Sequence, residues 1–159
     1  MAIQHSFLAF GYKSIQAEAV QAVLQGSDVF VTVPTGYGKS LIFQILPLCA
    51  RFLLKFLKKT APSAPAVLVV SPLTALMQDQ ASKLSFIPGI SPVLFTDCET
   101  LEDKSPASGG WTHIDDNIII LASPEAILGS SRGRKMLLSD IAHSFVAVVI
   151  DEAHCIVKW

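Results

Sequence analysis

Residues 33 to 40 read Val33-Pro34-Thr35-Gly36-Tyr37-Gly38-Lys39-Ser40, which is the pattern of a phosphate-binding loop. The apolar run from Val29 to Val33 precedes it and predicts a buried strand, and the apolar run from Leu41 to Leu46 predicts the start of a helix. Glycines let successive backbone N–H groups point at one anion, and the helix N-terminus adds its positive dipole end. We therefore expect Lys39 to contact the terminal phosphates of a nucleotide and Ser40 to bind Mg²⁺. The strict pattern has glycine at position 33, where this chain has valine, so a turn that binds nothing is the alternative.

A second apolar run, from Phe145 to Ile150, also predicts a buried strand and ends in the four residues Asp151-Glu152-Ala153-His154. Two adjacent carboxylates at the end of an apolar strand are costly unless positive charge lies nearby. Ligands of open parallel sheets bind at the carboxyl ends of the strands, so we expect this pair to meet the phosphate loop at one edge of one sheet. Asp151 would then hold Mg²⁺ through water, and Glu152 would polarise the attacking water. The alternative is that the two carboxylates only cap a helix after the strand.

Composition limits the class of protein. The chain has 159 residues, of which 51% are hydrophobic and 16% charged, so it can form one domain with a real core. Twelve basic and thirteen acidic side chains argue against a dedicated basic nucleic-acid-binding domain, although a local basic groove stays open. The three cysteines, Cys49, Cys98 and Cys155, are widely spaced and favour a reducing, intracellular setting over a disulfide framework or zinc site.

No targeting or membrane segment is predicted. Residues 1 to 5 lack the basic leader and apolar core of a secretory signal. The most apolar stretch, from Leu41 to Leu57, is interrupted by polar residues and by Pro47, so it predicts a buried, kinked helix instead of a membrane span. We expect an intracellular protein, nuclear if the source is eukaryotic and otherwise cytoplasmic.

The rest of the chain alternates between predicted strands and predicted helices, which indicates an α/β domain with a mainly parallel sheet flanked by helices. The predicted elements are a helix that Gly26 ends, a strand from Ala66 to Val70, a helix from Leu73 to Leu84, a short strand from Val93 to Phe95, a loop from Asp97 to Asp116, a strand from Ile118 to Leu121 and a helix from about Arg134 to Ala142.

Several of these segments resemble motifs of the RecQ-type DNA helicases. The most specific is similar to motif Ia of that family and reads Val69-Val70-Ser71-Pro72-Leu73-Thr74-Ala75-Leu76-Met77-Gln78-Asp79-Gln80. The phosphate loop with a residue other than glycine at position 33 is the form that this family uses. Asp151 to Cys155 followed by Trp159 resembles its DEAH box and the start of its aromatic-rich loop. Ser123-Pro124-Glu125 resembles its motif Ib, and Phe10-Gly11-Tyr12 with Gln16 resembles its adenine-recognition motif.

The resemblance covers nearly the whole chain and implies one RecA-like P-loop NTPase domain, the first motor domain of an ATP-dependent 3′-to-5′ DNA helicase. It implies ATP and Mg²⁺ as cofactors and DNA as the partner. The implied catalytic residues are Lys39, Asp151, Glu152 and His154, and the implied magnesium ligands are Ser40 and Asp151. The implied nucleotide-binding residues are Gln16, Thr35, Gly36, Tyr37, Gly38, Lys39 and Ser40, with Gln16 reading the adenine edge. The implied DNA contacts are Ser71, Pro72, Leu73 and Trp159, where aromatic stacking on bases is sequence-tolerant.

Two departures from the family pattern carry expectations of their own. Between Tyr12 and Gln16 only three residues remain, and the arginine expected to stack on adenine is missing. Lys13 lacks a planar guanidinium, so we expect weak nucleobase selectivity. The second RecA-like domain is absent from these 159 residues, and we expect this chain alone to bind nucleotide without appreciable turnover. A non-catalytic nucleotide- or DNA-binding half-motor and an RNA-directed DEAH-type ATPase are the alternatives.

Overall fold

The protein is described from a computed structural model that covers residues 11–57, 65–95 and 117–158. Helices are interspersed with the strands of one parallel sheet, and the predicted α/β class is confirmed. The helices are α1 (Ser14–Leu24), α2 (Lys39–Phe56), α3 (Thr74–Leu84) and α4 (Ser131–Leu137), with a π-helical turn at Glu125–Gly129 and 3₁₀ turns at Asp140–Ser144 and Ala153–Lys158. The strands are β1 (Ala66–Val70), β2 (Ile90–Phe95), β3 (Asn117–Ala122) and β4 (Phe145–Ile150).

The four strands form one parallel sheet in the order β2-β3-β1-β4. The two central strands, β1 and β3, are buried along their whole length. Parallel strands covered on both faces read as continuous runs of Val, Ile and Leu, and this explains why β1 and β3 show no polar alternation.

Alternate residues of the central strands belong to two hydrophobic layers. Val67 and Val69 of β1 pack with Leu46 of α2 and Met77 of α3 on one face. On the other face, Leu68 packs in a cluster with buried residues of the π-helical turn, α4 and the 3₁₀ turn Asp140–Ser144, namely Ala126, Ile127, Met136 and Ile141. The period of two therefore divides the apolar residues of the central strands between the two layers.

Local signals explain where the helices begin and end. Gly26, just beyond α1, has a φ of 85°, a left-handed conformation that glycine adopts at little cost. Ser130 caps α4, because its hydroxyl accepts a hydrogen bond from the backbone N–H of Gly133 at 2.8 Å. α2 continues through the buried Pro47 as one helix. In the described part of the chain no helix is long and apolar enough to cross a membrane.

Three predictions need correction. Val29–Val33 was expected as a buried strand, but it joins no sheet among the described residues, and Phe30 is 85% exposed. A strand needs a neighbouring strand to accept and donate its backbone hydrogen bonds. Among the described residues the sheet contains only β2, β3, β1 and β4, and none of these strands pairs with Val29–Val33. Within the described residues β4 lies at the edge of the sheet and is not buried, since Val148 is 59% exposed. The helix expected from about Arg134 to Ala142 is two elements, α4 and the 3₁₀ turn Asp140–Ser144.

Some predicted features lie outside the described residues. They are the loop from Asp97 to Asp116, Phe10 of the adenine motif, Cys98 and Trp159.

Candidate functional site

The loop between Pro34 and Lys39 folds as the glycine pattern predicts. The backbone N–H of Tyr37 donates to the carbonyl oxygen of Pro34 at 3.2 Å, which closes a turn. Gly36 has a φ of 80° and Gly38 a φ of 95°, and both values lie in the left-handed region that other residues rarely adopt. Gly38 is also the residue before the first turn of α2, so the loop runs directly into a helix N-terminus.

Two side chains at the start of α1 hold this loop. The Gln16 amide nitrogen donates to the carbonyl oxygens of Gly38, at 3.0 Å, and of Tyr37, at 3.3 Å. The Lys13 ammonium donates to the same Tyr37 oxygen at 3.0 Å and lies 3.9 Å from the centroid of the Tyr37 ring. The backbone N–H of Lys13 in turn donates to the Gln16 side-chain oxygen at 2.9 Å. Side chains of α1 therefore bind two successive carbonyls of the loop.

These contacts set the direction of the loop N–H groups. A trans peptide group is planar and its C=O and N–H point in opposite directions. Because the carbonyls of Tyr37 and Gly38 point at α1, the N–H groups of the following residues, Gly38 and Lys39, point away from it. Among the described residues, no hydrogen bond uses the N–H groups of Gly38, Lys39 or Ser40. Successive unpaired N–H groups at a helix N-terminus form an anion-binding concavity.

Lys39 and Ser40 are the first two residues of α2, and both are half-buried. Within the described part of the chain, the Lys39 ammonium has no hydrogen-bond or ion-pair partner. Thr35 is exposed on the turn before them. This end of the helix therefore combines N–H donors, a cation and a hydroxyl, a set that suits a phosphate group.

The acidic turn follows β4. The backbone N–H of Asp151 donates to the carbonyl oxygen of Val70 at 2.9 Å, which extends the β4–β1 ladder by one residue. The Asp151 carboxylate accepts from the Glu152 N–H at 3.1 Å, and Glu152 has a φ of 53°. The Glu152 carboxylate lies 3.2 Å from Nδ1 of the exposed His154. A residue other than glycine in the left-handed region stores strain, and such residues concentrate at functional sites.

The predicted DNA-contacting segment follows β1. The Ser71 N–H donates to the carbonyl oxygen of Ala122 at 3.0 Å, and the Ser71 side chain is only 2% exposed. Its hydroxyl lies 3.5 Å from the N–H of Leu73, at the long limit of a hydrogen bond. Leu73 is 51% exposed and Pro72 is half-buried. The exposed part of this segment is therefore Leu73, and the Ser71 hydroxyl lies inside the turn.

The structure brings the predicted residues together in two groups. In the first group, Gln16 contacts Tyr37 and Gly38. In the second group, the N–H of Asp151 donates to Val70, the last residue of β1, and Ser71 is the next residue of the chain, so Asp151 and Ser71 both lie at the carboxyl edge of the sheet. No hydrogen bond or ion pair within the described ranges joins Lys39 to Asp151 or Glu152, so their convergence on one ligand stays a prediction. α2 ends at Phe56, β1 begins at Ala66, and the two elements pack in one hydrophobic layer. A helix that packs on the strand following it after a short connection is expected to run antiparallel to that strand. Its N-terminus is then expected at the carboxyl edge, on the side of Asp151.

The candidate ligands suit magnesium. Ser40 offers a hydroxyl and Asp151 a carboxylate, and hard oxygen donors of this kind are what Mg²⁺ takes from proteins, together with phosphate oxygens and water. Asp151 keeps the carboxylate oxygen Oδ2 without a partner in the described part of the chain.

Two features of the site were missed from the sequence. Lys13 was considered as a partner for adenine, but it lies over Tyr37. Nothing in the local pattern signals a contact between residues 24 positions apart. The left-handed backbone at Glu152 was also not predicted, since the glutamate side chain gives no preference for it.

Comparison with known proteins gives one family. The family described as DEAD/DEAH box helicase matches residues 13–159. The chain is 35% identical to the ATP-dependent DNA helicase RecQ of Haemophilus influenzae over 94% of this chain and 22% of that protein. It is 34% identical to the ATP-dependent helicase SGS1 of Saccharomyces cerevisiae over 94% of this chain and 10% of that protein. It is 33% identical to the RecQ-like DNA helicase BLM of Xenopus laevis over 93% of this chain and 10% of that protein. The chain thus spans between about a tenth and a quarter of the length of these relatives.

Proposed function

This chain belongs to the DEAD/DEAH box helicase family, and we propose that it is the ATP-binding part of a DNA helicase of the RecQ type. Relatives named ATP-dependent DNA helicases support ATP as the nucleotide and DNA as the partner. The proposed cofactor is ATP with Mg²⁺, and the proposed nucleic acid is single-stranded DNA or a duplex junction.

The observation that carries the proposal is the orientation of the phosphate loop. Gln16 and Lys13 bind the carbonyls of Tyr37 and Gly38, so the opposite N–H groups point away from α1. Glycine suits position 38, because its φ of 95° lies in the left-handed region and a Cβ there, 2.7 Å from the Gln16 amide nitrogen, would displace the amide. A turn that bound nothing would not need unpaired N–H groups, a cation and a helix dipole at one point.

Each candidate residue has a proposed role. The loop from Thr35 to Ser40 binds the β- and γ-phosphates, chiefly through the unpaired N–H groups of Gly38, Lys39 and Ser40, and the Lys39 ammonium donates to the phosphate oxygens. Ser40 and Asp151 hold the metal, which supplies positive charge to the phosphates when bound.

The acidic turn supplies the remaining groups of the reaction. Glu152 orients the attacking water, and its carboxylate is held by His154 at 3.2 Å. The segment from Ser71 to Leu73 contacts the DNA backbone through main-chain groups and the exposed Leu73. Trp159 is proposed to stack on a base.

Calorimetric titration of the 159-residue chain with Mg-ATP tests nucleotide binding. We expect Lys39→Ala to weaken the affinity by about 10- to 100-fold, because a hydrogen bond to a charged group is lost. Lys83→Ala is the matched control, because Lys83 is an exposed helical lysine whose ammonium is paired with Asp79. No heat from the wild-type chain, or equal affinities for wild type and Lys39→Ala, would reject the proposal.

Nucleic-acid class separates the proposal from an RNA-directed DEAH-type ATPase. Fluorescence anisotropy with labelled single strands of one sequence, made as DNA and as RNA, gives the two affinities at one salt concentration. We expect tighter binding of DNA, and Leu73→Asp should weaken it. The matched control is Leu138→Asp, which changes another exposed leucine, 88% exposed and following α4. Tighter binding of RNA would favour the RNA-directed alternative.

A further inference from the structure

We infer that the protein carries a second site for single-stranded nucleic acid, an aromatic platform at the end of the sheet opposite the candidate site. The aromatic platform is defined as Phe52, Lys55 and Phe56 of α2 together with Phe86 of the turn after α3. It is separate from the proposed DNA contacts at Ser71–Leu73, which follow the carboxyl end of β1. The inference goes beyond the proposed function, since the platform contains no residue of the phosphate loop or of the acidic turn.

The first observation is the exposure of three phenylalanine rings. Phe52 is 71% exposed, Phe56 is 75% exposed and Phe86 is 84% exposed. One exposed apolar side chain is ordinary on a protein surface, but several large ones gathered at one place mark an interaction site. Positions 52 and 56 are about one helical turn apart, so these two rings lie on the same face of α2 with their Cβ atoms about 5–6 Å apart.

The fold gathers the three rings at the amino edge of the sheet. α2 packs on β3, β1 and β4, and α3 packs on β2 and β3, so the two helices are neighbours in one layer. α3 begins beyond the carboxyl end of β1 and is followed by Ile90, the first residue of β2, so Phe86 lies at the amino edge. α2, which runs antiparallel to β1, ends at Phe56 at the same edge.

The turn that carries Phe86 is fixed by hydrogen bonds. The backbone N–H of Ile87 donates to the carbonyl oxygen of Leu84 at 3.0 Å. Asn117 is only 3% exposed and donates twice to the Gly89 carbonyl oxygen, from its side-chain amide at 2.7 Å and from its backbone N–H at 3.0 Å. Phe86 is therefore presented on an ordered turn, and less conformational entropy is lost when such a side chain binds a partner.

The charge around the platform is positive. Lys55 is exposed, lies between the two rings of α2 in sequence, and has no ion-pair partner in the described part of the chain. Between Asp28 and Asp79 the sequence has no acidic side chain. The same stretch has five basic side chains, which are Lys39, Arg51, Lys55, Lys58 and Lys59. A ligand of complementary charge is therefore an anion.

Aromatic rings beside a cation favour single-stranded nucleic acid among the anionic partners. Bases stack on exposed aromatic faces whatever the sequence, and lysine ammonium groups bind the phosphates between them. Phe52, Lys55 and Phe56 stand at relative positions i, i+3 and i+4, which places the cation beside both stacking faces. An acidic peptide would match the charge, but its apolar anchors bind best in recessed pockets, whereas these rings stand out from the surface.

Photocrosslinking tests the location of the site. The probe is an oligo(dT) strand of about 12 nucleotides, within the range of lengths that single-strand sites cover, with 5-iododeoxyuridine in place of some thymidines. On irradiation this base crosslinks to aromatic side chains that it contacts, and mass spectrometry identifies them. We expect crosslinks at Phe52, Phe56 or Phe86. Crosslinks at Trp159 alone, or none at any platform phenylalanine, would overturn the inference.

Anisotropy titration with a labelled oligo(dT) strand measures how much the platform contributes. The double variant Phe52→Ser/Phe56→Ser should weaken binding by about 5- to 50-fold, because two stacking faces are lost. Phe86→Ser, on a separate element, should weaken it by about 5-fold. Lys55→Gln should lower the slope of log affinity against log salt by about 0.7, the value for one phosphate contact. Leu138→Ser is the matched control, because Leu138 is 88% exposed and lies outside the platform.

Two results with these variants decide between the two DNA sites. In a Leu73→Asp chain the same double serine variant should lose a further factor of at least about 5, because the platform binds independently of the segment after β1. No further loss, or wild-type affinity in the double variant alone, would overturn the inference. An unchanged affinity on Leu73→Asp with a loss in the double variant would reject the proposed contact after β1 and support the platform.

The remaining experiments ask whether another partner covers the rings. Sedimentation velocity without DNA should give one monomeric species for wild type and for the double serine variant. A dimer that dissociates in the variant would show that a second copy covers the rings, and would overturn the inference. A synthetic amphipathic helix with leucine on one face and glutamate on the other is the competitor. If it bound the platform more tightly than the strand, the site would be one for an acidic peptide and the inference would be wrong.

Discussion

The two halves of the candidate site are supported in different ways. The loop half, residues 34–40 with α1 and α2, is held by side chains of α1 and by a helix whose Leu46 is 1% exposed. The acidic half, residues 151–155, follows an edge strand whose last residue, Ile150, is 46% exposed. One half is fixed by buried packing and long-range hydrogen bonds, and the other by one ladder bond and contacts within its own turn. Two motifs of equal chemical importance can therefore differ in how firmly the fold positions them.

This difference has a functional consequence. A phosphate cradle acts best when its donors are fixed before the ligand arrives, because no reorganisation is then needed. In the proposed function, the carboxylates of the acidic half would respond to the metal and to the state of the nucleotide. A strained turn after an exposed strand would suit that role. The comparison therefore predicts a rigid loop half and an adjustable acidic half, and four pairs of variants test this prediction.

The largest expected difference is in the free energy of unfolding, between one side-chain truncation in α2 and one in β4. Leu46→Ala in α2 should lower the free energy of unfolding by about 2–5 kcal/mol, because it leaves a cavity in the layer that supports the loop. Ile150→Ala in β4 should cost less than about 1 kcal/mol, because the side chain is half exposed. Urea unfolding of both variants measures the two values. Equal losses would mean that the acidic half is as firmly packed as the loop half, and the comparison would fail.

The next largest effect separates two glycines with the same backbone conformation. Gly26→Ala and Gly38→Ala both place alanine at positive φ, which costs about 1 kcal/mol. Around Gly26 there is open space, whereas at Gly38 the new Cβ would lie 2.7 Å from the Gln16 amide nitrogen. Gly38→Ala should therefore cost about 2 kcal/mol or more, and only this variant should lose Mg-ATP affinity. Thermal unfolding and calorimetric titration measure the two effects, and Gly26→Ala is the control for backbone strain alone.

A smaller effect tests the strain in the acidic half. Glu152→Gly removes the Cβ at a φ of 53°, whereas Glu152→Gln keeps it and changes only the charge. We expect the glycine variant to be more stable than the glutamine variant by about 1 kcal/mol, because glycine relieves the left-handed strain. Urea unfolding at one pH compares them. A glutamine variant as stable as the glycine variant would mean that this turn stores no strain.

The same contrast explains how much of the fold the sequence could predict. β1 was predicted with its observed bounds, Ala66 to Val70, because a continuous apolar run is enclosed by Pro65 and Ser71-Pro72. The run from Val29 to Val33 has the same local character, yet it forms no strand among the described residues. Strand formation requires a second strand that pairs with the backbone, and a local sequence pattern reports the propensity of one segment without its partner.

The candidate site divides in the same way. The glycine spacing predicted a loop that directs successive N–H groups at one anion, and the structure shows positive φ values at Gly36 and Gly38. The contact of Lys13 with the loop could not be predicted, since it depends on the approach of α1 to the loop across 24 positions of sequence. Gln16 was singled out through a family motif, but its bonds to two carbonyls are visible only in the structure.

The smallest expected effect is a change of stability with pH that depends on a thiol in the loop half. Burial raises the pKa of Cys49, in α2, to about 11 from an ordinary value of 9.0. The folded state therefore favours the neutral thiol, and its contribution to stability is complete below pH 9. As the pH rises from 9 to 11, the thiol of the unfolded chain ionises first, so the wild type should lose stability relative to Cys49→Ala, by less than about 1 kcal/mol because partial exposure screens the charge.

Urea unfolding of wild type and Cys49→Ala at pH 8, 9, 10 and 11 measures this difference, and it should level off above pH 11. Cys155→Ala is the control, since it removes a thiol from the acidic half and not from α2. A constant difference between wild type and Cys49→Ala across this range would mean that water reaches the Cys49 thiol. α2 would then be less tightly packed than its buried residues indicate, and the prediction that the loop half is the rigid one would be wrong.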